Sequence, residues 1–308
     1  MIKTYLLSEI NARAQREPQA FIAECEKAYL DQINAAAEQV AAVQKSHPLL
    51  LLNGPSSAGK TTTADRLCRA FARHGIHAHV ISMDDYYVTR DEENTPFDEE
   101  NGVLDLESPL CMDLELLSDH LYKLANGEEI CMPRFDFETG IQHQNQHCLR
   151  LGPNDIAIIE GIHSFNDVIT GALDEISTAV SLRLNAQVDC GGGLVLPPET
   201  LRFARRALRD SRFRGAPVQQ TVIQWKSVRR GERLYIDPYL DQAEITISTY
   251  HPYESCILYP ALRESLHAHA AELEAAGLAD AVAASDLFVP IDYAPHIPET
   301  SLLREFIG

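Results

Sequence analysis

Positive charge is what this sequence is short of: 26 Lys and Arg stand against 45 Asp and Glu, a formal net charge of -19 at pH 7. Neutralising a phosphate backbone needs a basic surface, so no nucleic-acid partner is expected. Long apolar runs are missing as well. None approaches the ~20 residues of a membrane span, and no secretory signal pattern opens the chain, so no membrane partner and a cytoplasmic location are expected. The seven cysteines, Cys25, Cys68, Cys111, Cys131, Cys148, Cys190 and Cys256, are odd in number and contain no C-x-x-C pair. Reduced thiols are the expectation. Zinc-ligand spacing of His or Cys, internal repeats and an N-K-x-D guanine signature are also absent.

What is present begins with bulk. With 308 residues and 45% hydrophobic composition, the chain can bury the core of one large α/β domain or two small ones. Residues 1–46 carry two helical patterns broken near Pro18, the second with an apolar stripe through Phe21, Ile22, Cys25, Ala28, Tyr29 and Ile33. That stripe is expected to pack on the main domain or on a second subunit, which leaves a homo-oligomer open. From residue 47 onward, short apolar runs at 49–52, 78–82, 156–160 and 179–184 alternate with helical stretches, the pattern of a mostly parallel sheet covered by helices. A helix is expected over 60–74, another over 112–126, a hairpin around Gly140, a basic helix over 200–213, a short strand at 245–247 and a helix over 253–276. The resulting division is an N-terminal helical extension, 1–46, and a main domain, 47–308, with an insertion at about 85–152 and a basic lid at about 200–216.

The most informative stretch is Leu50-Leu51-Leu52-Asn53-Gly54-Pro55-Ser56-Ser57-Ala58-Gly59-Lys60-Thr61, an apolar strand running into G-x-x-x-x-G-K-[ST] and then a helix. Gly54 and Gly59 let the backbone turn tightly, so that the loop Gly54-Pro55-Ser56-Ser57-Ala58-Gly59-Lys60-Thr61-Thr62, through the N–H groups of its non-proline residues and the positive end of the helix, can cradle a polyphosphate. Lys60 is placed to reach β- and γ-phosphates and the Thr61 hydroxyl to ligate Mg²⁺. Two carboxylates follow expected strands, where parallel sheets open their ligand crevice. Asp84 of Asp84-Asp85-Tyr86-Tyr87 is suited to take a proton from an attacking hydroxyl, with Asp85 as its support or a solvated neighbour. Glu160, closing Ile156-Ala157-Ile158-Ile159, suits a Mg²⁺ site shared with Thr61 and Asp84, or a helix cap. His163 just beyond suits a structural hydrogen bond better than catalysis. Arg202, Arg205, Arg206, Arg209, Arg212 and Arg214 crowd one stretch of an acidic chain, and the first, second, third and fourth recur at helical spacing, so several can meet one anion.

Gly54 to Thr61, Asp84-Asp85-Tyr86-Tyr87, Pro133-Arg134-Phe135-Asp136-Phe137, Ile159-Glu160-Gly161-Ile162-His163 and Arg205-Arg206-x-x-Arg209-Asp210, in this order, resemble the uridine kinase and phosphoribulokinase family. The likeness covers residues 48–250, and the closing Leu302-Leu303-Arg304-Glu305-Phe306-Ile307-Gly308 is similar to the bacterial uridine kinase-like branch. The resemblance implies a P-loop NTPase three-layer α/β fold and an ATP- and Mg²⁺-dependent kinase acting on the 5′-hydroxyl of uridine or cytidine. It implies that Lys60 and Thr61 bind ATP phosphates and Mg²⁺, that Asp84 activates the sugar hydroxyl and that Glu160 helps hold the metal. With the basic stretch read as a phosphate clamp, Lys60, Asp84, Arg205 and Arg209 are the catalytic candidates, and Asp84, Tyr87, Glu107, Phe135, Arg202 and Arg214 the candidates around the acceptor. Glu107, before Ser108-Pro109, stands where a carboxylate binds ribose hydroxyls. The family's hairpin carries a tyrosine and a histidine against the pyrimidine, whereas this chain has Phe135 and Gly140, with His143 and His147 as substitutes nearby. A pentose or pentose phosphate acceptor, a nucleotide-dependent switch and a degenerate kinase are the alternatives.

Overall fold

The computed structural model describes residues 2–90 and 95–308; residues 91–94, part of the acidic loop of the insertion, lie outside the described residues. The chain opens with β1 (Lys3–Leu6), α1 (Leu7–Arg16) and α2 (Pro18–Val43). Pro18 stands at the start of α2, where its missing N–H leaves no hydrogen bond unmade. Next come β2 (Leu49–Asn53), α3 (Lys60–Ala72) and β3 (His77–Ser82). The insertion holds the short strands β4 (Phe97–Asp98) and β5 (Val103–Leu104), then α4 (Leu114–Ala125), capped by the Asp113 carboxylate, and the hairpin β6 (Ile130–Asp136) and β7 (Ile141–Leu149). After it run β8 (Asp155–Gly161), the single turn α5 (Asp167–Thr170), β9 (Ser177–Arg183), β10 (Ala186–Gly191), β11 (Leu194–Leu196), α6 (Pro198–Phe213), α7 (Val218–Tyr235) and β12 (Ile245–Ser248). The chain closes with α8 (Ser255–Ala268), α9 (Ala270–Ala275), α10 (Ala279–Ser285) and α11 (Arg304–Ile307).

Strands β12, β9, β2, β8 and β3 lie side by side in that order, every neighbouring pair parallel. Successive side chains of a strand point to opposite faces, and both faces of this sheet are covered. Leu50, Leu52, Ile156, Ile158, Val180 and Leu182 enter one core; Leu49, Leu51, Ala157 and Ile159 enter the other, with Ile81 and Met83. This two-sided burial is why the central strands read as unbroken apolar runs. It also fixes their shared direction: β2, β3 and β8 deliver the loop at 54–59, Asp84 and Glu160 to the same carboxyl edge.

The N-terminal stripe packs on its own main domain. Ile22, Tyr29, Ile33 and Val40 of α2 are buried in the core that holds Leu50 and Leu52, against α3 and β12. Three further features depart from the sequence expectation. β1 pairs parallel with β10, and β10 antiparallel with β11, in a second small sheet. Helix α7 fills residues read as unassigned, and the stretch 253–276 divides into α8 and α9. The expectation of seven reduced thiols is also corrected: Cys131 and Cys148 face each other in register across β6 and β7 and are joined as a disulfide, while Cys25, Cys68, Cys111, Cys190 and Cys256 are free. Their separation of 17 residues follows no signature, but a hairpin makes them neighbours. Among the described residues no helix is long and apolar enough to cross a membrane.

Candidate active site

The loop after β2 reverses direction through two left-handed residues, Ser57 (φ 61°) and Gly59 (φ 88°). Gly59 caps α3 with no side chain, so the first amides of the helix stay free to meet an anion. The loop is held from behind: Thr63 Oγ1 donates to the Gly59 carbonyl at 2.7 Å and shares a 2.6 Å hydrogen bond with Tyr29 Oη. Asn53 Nδ2 donates to the Ile162 carbonyl at 2.9 Å and ties the end of β2 to the loop after β8. Lys60 Nζ lies 2.9 Å from the Gly54 carbonyl, along the rim of the cradle.

In front of this loop is a cleft of about 770 Å³. Ser56, Ser57, Gly59, Lys60 and Thr61 form one wall, and Asp84, Glu160, Tyr87 and Glu107 line it from the sheet edge and insertion. Arg206, Arg209 and Arg214 line it from the end of α6. Gly54, Pro55, Ala58 and Thr62 belong to the loop without lining the cleft; Ala58 is buried beneath it, and Thr62 Oγ1 donates to Glu305 at 3.2 Å.

Asp84 and Asp85 separate clearly. Asp84 opens onto the cleft, whereas Asp85 turns to the hairpin and accepts the Phe135 amide. Enclosure by protein raises the Asp84 carboxyl above its ordinary range, opposed by Lys60 and Arg214. Glu160 is raised by burial too, with Lys60 opposing and Asp84 adding to the rise, while Ser82 Oγ donates to it at 3.0 Å. These two carboxylates, lining the cleft with Thr61, make an all-oxygen donor set suited to a hard cation. Among the described residues no three of His, Cys, Asp and Glu cluster as a self-sufficient metal site, so an ion held there would complete its shell from phosphate and water.

Glu107 is driven into the cleft by the close approach of α7, where a Cβ on Gly231 would collide with the Glu107 side chain. Burial pushes its carboxyl up to about 7, opposed by Arg206. His163 lies beneath, fully buried beside Tyr235, its imidazole lowered to about 4 by burial. It is neutral and does not line the cleft.

Three expected site residues stand elsewhere. Arg205 is fully buried: it forks onto Glu254 at 2.8 and 2.7 Å, reaches the Thr249 carbonyl at 2.6 Å and the Ser57 carbonyl at 3.3 Å. Arg202 forks onto buried Glu232 at 2.5 and 2.7 Å and donates to the Ser56 carbonyl at 3.2 Å. Both brace the back of the phosphate loop. Helical spacing puts these arginines on one face of α6 but not at one height, and the first two pass behind the loop, where acids from α7 and the turn before α8 reach them. Arg206 instead faces the cleft, its Nη1 donating to Ser56 Oγ at 2.9 Å. Phe135 is buried behind Tyr87, their rings 5.6 Å apart, and Phe137 lines the cleft in its place. Glu305, from the last turn of the chain, also lines it.

A structure of a kinase from a Silicibacter species, tied by its description to a fructose transport system, covers 70% of this chain and 98% of its own at a TM-score of 0.51 and 18% identity, a likeness of fold. A uridine kinase of Anoxybacillus flavithermus is 27% identical over 206 residues, 67% of this chain and 87% of the relative. One from Clostridium botulinum is 29% identical over 202 residues, 65% of this chain and 87% of the relative. Residues 49–253 match the model of the phosphoribulokinase/uridine kinase family, and the chain belongs to that family of ATP-dependent phosphotransferases.

Proposed function

We propose that this protein is a nucleoside kinase that moves the γ-phosphoryl group of ATP to the 5′-hydroxyl of a pyrimidine nucleoside, uridine or cytidine. The observation that carries the reading is the shared cleft: Lys60 on the phosphate loop and the Asp84 carboxyl face one space, with arginines on its third side. A donor cradle without an opposed base would suit hydrolysis or a switch; a base set across from it suits an acceptor hydroxyl. The curated relatives named uridine kinase support the nucleoside as acceptor, and the chain's composition supports a cytoplasmic enzyme.

In this reading Asp84 takes the proton of the 5′-hydroxyl as its oxygen bonds to the γ-phosphorus and the bond to the β-phosphate oxygen breaks, releasing ADP. A carboxyl raised above its usual range is a stronger base once ionised. Lys60, Arg206, Arg209 and Arg214 hold the phosphoryl oxygens, and Glu107 accepts ribose hydroxyls. Thr61 and Glu160, with Asp84 near, would hold Mg²⁺, which supplies charge neutralisation at the phosphates. Positioning and electrostatics provide most of the rate.

A second reading, a pentose or pentose phosphate acceptor, draws on one observation. His143 and His147 are exposed on β7 and take no part in the cleft, whereas Arg90 lines its acceptor end beside Phe137 and Tyr87. ADP release with Mg²⁺ and ATP, measured across nucleosides, pentoses and pentose phosphates, separates the two. Highest kcat/KM on uridine or cytidine is expected; highest kcat/KM on a pentose phosphate would replace the first reading with the second.

A further inference from the structure

Glu305 is a carboxylate placed at an anion cradle, and nothing in the phosphoryl-transfer scheme uses it. Its Oε2 lies 3.2 Å from Thr62 Oγ1, on the first turn of α3, and its side chain lines the cleft. Among the described residues no ion pair neutralises it; its charge instead adds to the rise of the Glu160 carboxyl. Like charges at a polyphosphate site repel, so this acid must meet a neutral donor or oppose the nucleotide.

Glu305 is half-buried, and the turn that carries it is anchored in the core. Leu302, Leu303 and Phe306 around it are buried, and Leu302 fills the space where any side chain on Gly59 would go. The Arg205 guanidinium packs on the Phe306 ring at 5.1 Å, and Arg212 Nη1 donates to the Ile307 carbonyl at 2.6 Å. The turn that carries the carboxylate is thereby fixed relative to the phosphate loop itself.

Its position names its partner. Lys60 and the loop amides direct the terminal phosphates of a nucleotide toward Asp84, so the α-phosphate and sugar leave the cradle past Thr62. We propose that Glu305 reads the ribose of the donor nucleotide, accepting hydrogen bonds from its vicinal 2′- and 3′-hydroxyls. This rests on the reading of the cleft as an ATP site. A vicinal diol offers two adjacent O–H donors without charge, which matches the two oxygens of a carboxylate and gives charge-assisted bonds. A deoxyribose leaves one oxygen unpaired, and a site built for a hydroxyl rejects the analogue lacking it.

The test is calorimetric titration of the full chain, with Mg²⁺ and without acceptor, using ATP, 2′-deoxy-ATP, 3′-deoxy-ATP and ITP. The wild type is expected to bind each deoxy analogue on the order of tenfold more weakly than ATP, and ITP like ATP. Glu305→Ala and Glu305→Gln bring the deoxy analogues to within about twofold of ATP, with thermal midpoints near wild type. Equal binding of ATP and the deoxy analogues by the wild type, or discrimination that survives in both variants, overturns the proposal while leaving the ATP site intact. Wild-type discrimination against ITP that disappears in both variants would overturn the proposal and assign Glu305 to the base instead. No binding of any nucleotide by the wild type would overturn the ATP site and this proposal together.

Discussion

Arg205→Ala separates a structural brace from a catalytic arginine. Arg205 and Glu254 are both buried, and the pair is completed by the Thr249 and Ser57 carbonyls and by Glu254 accepting the His251 amide. Truncating the arginine leaves Glu254 buried and uncompensated, a change that costs about 3–5 kcal/mol in comparable pairs. For a chain of this size, roughly 2 °C of midpoint is lost per kcal/mol, so scanning calorimetry should show a fall of roughly 6–10 °C. Arg205→Met with Glu254→Gln, which removes both charges and keeps the volume, should recover much of the loss; the coupling in that double-mutant cycle measures the pair. ATP binding should weaken in the single variant, because Arg205 holds the Ser57 carbonyl in place. A wild-type midpoint in Arg205→Ala with kcat alone reduced would refute the reasoning and return Arg205 to the transition state.

Lys60→Ala should abolish turnover and leave the midpoint within about 1 °C, since its amine touches only loop carbonyls at the cleft rim; normal activity would remove the donor assignment. Because the Glu107 carboxyl titrates at about 7 and acts ionised, kcat/KM for the acceptor should fall up to about tenfold per pH unit below that value. Glu107→Gln should erase that step, and a pH profile unchanged by it would detach Glu107 from the acceptor. Gly59→Ala should destabilise the chain by at least about 1–2 kcal/mol in urea titration, from the left-handed backbone alone, because φ is 88° there and Leu302 occupies the space for a Cβ. A loss no larger than that backbone cost would show that Leu302 yields and the last turn of the chain does not clamp the loop, and a neutral result would contradict the left-handed turn itself.

The parallel sheet and phosphate loop were readable because their signals are local. Both-face burial makes β2, β8 and β9 continuous apolar runs, and the glycine and lysine positions of the loop are dictated by the anion it holds. Helix α7 also carried a signal, with Val218, Val222, Trp225 and Val228 buried at helical spacing, but its polar composition and central Gly231 obscure it. The arginines of α6 were not sortable from their spacing, since Glu232 and Glu254, the acids that bury Arg202 and Arg205, come 30 and 49 residues later. Phe135 and Phe137 are two apart and would share a face of a continuing strand, but β6 ends at Asp136, so Phe135 stays buried while the turn presents Phe137 to the cleft, and nothing local marks where the strand stops. Glu305 joins the site only because the chain returns to cover Gly59; the closing stretch Leu302 to Gly308 carries a family likeness, but nothing local in it says that it meets the phosphate loop.

Asp84→Asn tests the central claim most directly, namely that donor cradle and acceptor base face each other across one cleft. Transfer of labelled γ-phosphate from ATP to uridine in a single turnover, with ATP affinity measured beside it, gives the answer. The account predicts unchanged ATP binding with transfer slowed by at least about 100-fold. Transfer at the wild-type rate in this variant would contradict it.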